Sequence, residues 1–279
     1  LEVVIILHAE DLNDEGVSHY NQGEYETAII FFDKALKLNP MLAPAWGNRG
    51  LALSGQGRYE DAVESFDRAL QIRPDYIPAL QAKGVALCRS GMDAEAVKSY
   101  DEALKIDPQF TAALIGKGVA LRHLGRYKEA IEFLDRSVYL DPIDAVAWMN
   151  RGRVLHDLDR YDEALKSYDR AIALHPDYAK SWQGKGLLLY DQGDYNGAVE
   201  AYDKALKLRP QYAEAWESKG VALYELGRYD EALECYDRSA GLNPSNPAVW
   251  IKKSRALEAL GRNKEADEAI AKAREMGAG

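Results

Sequence analysis

Cysteine is nearly absent from this 279-residue chain, which has only Cys88 and Cys235. Two residues so far apart exclude a disulfide framework and provide no C-x-x-C pair for zinc. They fit a reducing compartment, so a cytoplasmic location is expected. Positive charge is the minority sign, with 35 Lys and Arg against 45 Asp and Glu and a net charge of −10. That balance argues against nucleic acid and anionic membrane as partners. Long apolar runs are missing too. The segment Leu1–Leu7 is apolar but too short to cross a bilayer, and it lacks the basic start of a signal peptide. No G-x-G-x-x-G, P-loop, G-x-S-x-G or H-E-x-x-H occurs. Neither a phosphate cradle nor a nucleophile elbow is therefore predicted, and no cofactor and no enzymatic activity are expected.

What the chain does have is a period. Apolar residues make up 47% and charged residues 29%, enough to bury a core. All five tryptophans, Trp46, Trp148, Trp182, Trp216 and Trp250, are spaced by 34 residues or its multiples, and Leu12, Leu80 and Leu114 fill the gaps. Four residues later comes a glycine row, Gly16 through Gly220, completed by Ser254. An alanine row runs from Ala28 to Ala266 without exception, and a proline row from Pro40 to Pro244. Each period holds two helical stretches, such as 213–225 and 230–242. Between them sits a glycine suited to a left-handed cap. Asp159 takes that place in the fifth period, at slightly higher cost. Glycine inside a helix costs about 0.8–1 kcal/mol against alanine. The glycine row therefore predicts a close helix approach, with the alanine row as its expected partner.

These rows resemble the tetratricopeptide repeat (TPR) family, whose unit runs W-x2-L-G-x2-Y, then A, an aromatic, A and P. The chain divides into an N-terminal extension, residues 1–8, and eight repeats at 9–42, 43–76, 77–110, 111–144, 145–178, 179–212, 213–246 and 247–279. The resemblance implies an all-α, right-handed superhelical solenoid of antiparallel helix hairpins. One departure is informative. Where the family has Leu before the glycine, this chain has Arg49, Lys83, Lys117, Arg151, Lys185, Lys219 and Lys253, and an Asp stands sixteen residues before each. Pairs between successive repeats are expected. Glu15 and Ala271 break the pattern at the two ends, which leads us to expect that eight repeats make the whole array.

The resemblance also implies that first helices line a concave face where ligands lie. Its apolar floor is read as Ile115, Val119, Met149, Leu187 and Val221, with Tyr190 and Tyr224 as aromatic contacts. Arg89, Arg122, His123, Arg153 and His156 gather in the middle repeats, while Asp191, Glu217, Glu225 and Glu258 follow. A bipolar protein or peptide ligand is expected, acidic against the former and basic against the latter. The carboxylate clamp by which some family members hold chaperone tails is missing, since Val17, Gln81 and Ala82 occupy its places. Cys88, His123 and His156 project from successive first helices, roughly 8–10 Å apart. That is too far for the outer two to share one ion, so no metal site is expected. The function expected is a scaffold or adaptor for protein partners. Two other readings stay open. One is a self-assembling scaffold, a homo-oligomer through residues 1–8; the other is the interaction part of a larger protein whose catalytic domain is absent here.

Overall fold

The structure is a computed structural model that describes residues 8–277, so the self-assembly reading of the N-terminal segment falls almost wholly outside it. The described residues form sixteen α-helices and no strand. They fall into two compact units divided between Pro142 and Ile143. The first unit holds α1 (Ala9–Asn21), α2 (Tyr25–Leu38), α3 (Ala43–Gly55), α4 (Tyr59–Ile72), α5 (Ile77–Arg89), α6 (Asp93–Ile106), α7 (Thr111–His123) and α8 (Tyr127–Leu140). The second holds α9 (Ala145–Asp157), α10 (Tyr161–Leu174), α11 (Ala179–Asp191), α12 (Tyr195–Leu208), α13 (Ala213–Glu225), α14 (Tyr229–Leu242), α15 (Pro247–Ala259) and α16 (Asn263–Glu275).

Every hairpin turns on a left-handed residue. Gly57, for example, has φ +78°, and Asp159 at φ 57° is the one non-glycine among the described residues with a positive φ. The Tyr161 hydroxyl donates to Asp159 Oδ1 at 2.9 Å, which helps hold the turn. An L residue here costs about 1–2 kcal/mol, less for Asp than for most. Asp159→Gly is therefore expected to stabilise the second unit by about 0.5–1 kcal/mol, read as a raised denaturation midpoint. A lowered midpoint would mean that the Tyr161 contact outweighs the backbone strain.

The second helices end on an extended residue such as Asn39, with φ −136° and ψ 90°. The following proline cannot continue the helix. The next first helix starts with Pro in its first turn in α3, α5 and α15, and with a capping side chain in α9 and α15. Asp144 accepts from the Val146 and Ala147 amides, satisfying two of the donors that a helix start leaves open. Tryptophan adds a clamp. The indoles of Trp46, Trp182 and Trp216 donate to the carbonyls of Pro40, Pro176 and Pro210 at 2.8–2.9 Å.

Within each unit every hairpin packs on the next, and each first helix also touches the first helix of the next hairpin. Successive second helices do not touch among the described residues. The first helices therefore lie on the inner side of the curve. The core is built from the alanine row, 0–1% exposed throughout, and from Phe32, Phe66, Tyr100 and Leu134 in the first unit and Tyr168, Tyr202 and Tyr236 in the second. What stands over each glycine is this second row, not the alanines. A Cβ on Gly50 would lie 2.6 Å from Phe66 Cε1, and one on Gly186 would lie 2.7 Å from Tyr202 Cε1. The expected alanine partner is thus replaced by a large side chain, a ring in six of the seven repeats and Leu134 over Gly118, which fills the gap between helix backbones and leaves none for a Cβ.

The charge ladder joins successive repeats as expected. The six pairs that fall within one unit are all made. They include Arg49–Asp33 at 2.7 Å, Lys117–Asp101 at 2.5 Å and Lys219–Asp203 at 2.6 Å. The cations are well shielded, and four of the six also lie over rings: Lys117 Nζ is 3.8 Å from the Phe133 centroid, and Arg49, Lys219 and Lys253 lie over Trp46, Trp216 and Trp250. Arg49 also donates to Ser65 Oγ in its own hairpin at 2.8 Å, spanning the seam with one guanidinium. A second set of ion pairs was not visible beforehand. Arg126, Arg160, Arg228 and Arg262 each reach the Glu three residues on, as in Arg126–Glu129 at 2.6 Å. The arginine hydrogen bonds hold these carboxyls below the ordinary carboxylate range.

Candidate functional site

The inner face of the first unit is formed by α1, α3, α5 and α7. Ile115, Val119 and Arg122 are half-buried there, and Arg89 and His123 are exposed. His123 is not a bare ligand contact: its Nδ1 lies 2.9 Å from Oδ1 of Asp93, at the start of α6. Asn48 donates to Asn13 Oδ1 at 2.9 Å, so these two asparagines bind each other across the α1–α3 seam. Cys88 is half-buried and Cys235 buried, both as free thiols. Burial, aided by Asp93, pushes the Cys88 thiol up to about 12, and burial lifts Cys235 to about 11. Neither forms a thiolate nucleophile near neutral pH.

The inner face of the second unit is formed by α9, α11, α13 and α15. Met149, expected in the floor, is 3% exposed and belongs to the core instead. Its thioether chain is long enough to turn inward at a position where the other repeats show a shorter or polar side chain. Arg153 is half-buried, Leu187 is exposed, and Val221 is half-buried. His156 Nε2 lies 2.7 Å from Asp191 Oδ2, which ties a predicted basic contact to a predicted acidic one. Glu217 is also spoken for. Its two oxygens accept from Lys252 Nζ and, at 3.0 Å, from Asn246 Nδ2. Tyr190 and Tyr224 are braced by Tyr195 and Tyr229, with ring centroids 5.3 and 5.2 Å apart. Burial raises the Tyr190 phenol, and the negative charge of Glu225 adds to it.

Two cavities open on this face. One is lined by Leu187, Tyr190, Tyr202, Glu217, Ser218 and Val221. The other is lined by Tyr190, Val221, Tyr224, Glu225, Tyr236 and Arg255. Lys252 borders both. Sequence reasoning missed Lys252, Tyr202 and Tyr236. The available signal was Tyr in place of Phe at the ring position of the second helix, since a buried phenol needs an outlet for its hydroxyl. The arrangement offers apolar pockets, hydroxyls and fixed charges, which suits recognition.

This chain belongs to the tetratricopeptide repeat family. Family models described as tetratricopeptide repeat match residues 9–41, 43–76, 92–145, 144–211, 184–247 and 223–279. It is similar in structure to a tetratricopeptide repeat protein from Parabacteroides merdae, with TM-score 0.75, 17% identity, and 89% of this chain and 98% of that one covered. It is also similar to YrrB, a TPR protein with an unusual peptide-binding site, with TM-score 0.51, 26% identity, and 67% and 97% covered. In sequence, an uncharacterised protein of Methanocaldococcus jannaschii is 45% identical over 48 residues, 17% of this chain. That match covers 56% of the relative's length. Proteins of this fold commonly mediate protein–protein interactions and are generally non-catalytic. No helix among the described residues is long and apolar enough to cross a membrane.

Proposed function

We propose that this protein is an adaptor that binds a peptide or partner segment on the inner faces of its two units. The observation that carries this reading is the pair of cavities on α11, α13 and α15, where exposed Leu187 and half-buried Val221, Tyr190 and Tyr224 meet hydroxyls and charges. Apolar anchors set among a few placed polar groups are what peptide recognition needs. The likeness to YrrB supports it. In the first unit, Arg89 and Arg122 beside Ile115 and Val119 suit acidic and apolar ligand residues. In the second, Asp191, Glu225 and Glu258 suit basic ones. The acidic balance of the chain speaks for a protein ligand over nucleic acid. A cytoplasmic setting, with both thiols free, is part of the same proposal.

The test is affinity capture with three variants. Val119→Asp and Val221→Asp each place a charge on one inner floor, and Lys207→Asp changes the outer face. Partners lost with either inner variant and kept with the outer one are the expected result, with folding checked by circular dichroism. Partners kept by both inner variants, or lost only with Lys207→Asp, would move recognition to the outer face.

A further inference from the structure

The inner face of the second unit has a repeat spacing of its own. The two cavities, about 180 Å³ each, share Tyr190, Val221 and Lys252, and so form one trough crossing α11, α13 and α15. Tyr202 closes the bottom of one and Tyr236 the bottom of the other, each only 1% exposed. Their rings are wedged over Gly186 and Gly220, so only the far end of each reaches the trough. The Tyr202 hydroxyl meets Ser218. The Tyr236 hydroxyl has no hydrogen-bond partner among the described residues. Each cavity thus pairs an apolar wall with a buried phenol turned towards it.

The charges repeat with the cavities. Asp191, Glu225 and Glu258 stand in or next to the last turns of α11, α13 and α15, where the negative end of each helix dipole adds to them. The rings of Tyr190 and Tyr224 lie beside this rim, held by Tyr195 and Tyr229. Carboxylates next to tyrosine faces attract a cationic side chain by charge and by cation–π contact. On the trough side Lys252 is neutralised by Glu217. Arg255 borders the second cavity and is exposed, so that cavity takes an uncharged side chain.

We propose that this trough binds an extended, polyproline-II peptide. It would carry aliphatic side chains at positions i and i+3 and a Lys or Arg next to each. The proposal rests on the groove-binding role above and specifies its ligand. Neighbouring packed helices lie roughly 8–10 Å apart. Three polyproline-II residues advance roughly 9 Å and return to the same face, so every third side chain meets the next cavity. A β-strand fits poorly, because its same-face side chains repeat every roughly 7 Å. An α-helix could match only through residues seven apart. Its backbone is already hydrogen-bonded to itself, whereas a polyproline-II backbone leaves donors and acceptors free for the Tyr202 and Tyr236 hydroxyls.

Fluorescence anisotropy with the full chain tests this, using a labelled peptide of four Leu-Lys-Pro triplets. Comparison peptides of the same length carry Leu two or four residues apart, Glu in place of Lys, or a helix-forming heptad spacing without Pro. The triplet peptide is expected to bind about tenfold or more tighter than each of these. Tyr236→Phe, which keeps the ring, is expected to weaken it several-fold, by about what one hydrogen bond contributes. Equal binding of the spacing variants, a Glu peptide as good as the Lys peptide, a preferred heptad helix, or no binding at all would each overturn the proposal. Val221→Asp separates the two levels. Peptides that bind without the expected preference but are lost with this variant leave the groove role standing, whereas peptides that bind Val221→Asp unchanged remove both.

Discussion

Phe66→Ala is expected to lower the stability of the first unit by about 3–5 kcal/mol, the range for truncating a fully buried aromatic side chain. Phe66 is 0% exposed and stands among Leu53, Ala62, Ala69, Ala79, Ala82 and Ala86. These come from α3, α4 and α5, so the ring fills its own hairpin and the seam to the next one together. Its neighbours are mostly alanines on fixed helix backbones, which cannot close over the space left behind. Urea denaturation followed by circular dichroism would show the loss. Because each hairpin touches only its neighbours, the truncation should also split a single transition into two as the seam weakens. A loss under about 1 kcal/mol would show that the site collapses freely and that the ring is not the keystone of that seam.

Gly50→Ala should also destabilise, although alanine is the better helix former by about 0.8–1 kcal/mol. The added Cβ would sit 2.6 Å from Phe66 Cε1 and 2.8 Å from Cδ1 and Cζ. A fully buried ring has nowhere to retreat, and overpacking of this kind costs about 1–3 kcal/mol. Steric overlap therefore wins, with a net loss of up to about 2 kcal/mol. The decisive form is a double-mutant cycle. In a Phe66→Ala background the overlap is gone, and Gly50→Ala should become stabilising by about 1 kcal/mol. Gly241 provides the contrast within α14. A Cβ there meets nothing within 4 Å, so helix propensity alone decides in favour of alanine. Gly50→Ala stabilising the unaltered protein would remove close approach as the reason for the glycine row.

The parts of this fold that were legible in the sequence are those fixed by local spacing. The Trp, Gly, Ala and Pro rows set the hairpins, and the left-handed turn at Asp159 followed from its place in the glycine series. The Asp–Lys/Arg ladder was legible because its break at Glu15 and Ala271 distinguished pairing between repeats from pairing within one. The partner of the glycine row was not. Alanine and the ring position lie on the same helix four residues apart, and the period is identical for both. The inner face was legible as a set of positions but not as a set of free groups. His123 meets Asp93, His156 meets Asp191, and Glu217 meets Lys252, through side-chain reach across neighbouring helices. Spacing along the chain does not report such reach. Met149 shows the same limit, since one rotamer choice decides whether that position faces a ligand or the core.

The ladder bears on how such a chain can change its length. The six seams that fall within a unit bring an aspartate on the second helix of one hairpin to a cation on the next, so every hairpin between the first and the last presents the same two connectors. An in-frame duplication or deletion of one inner period in the gene leaves each new junction with a matched donor and acceptor. Ring, glycine and proline stay in phase as well. The number of inner-face positions can then grow or shrink by whole hairpins while the variable residues on that face diverge independently, which separates the inheritance of the scaffold from that of the ligand it reads.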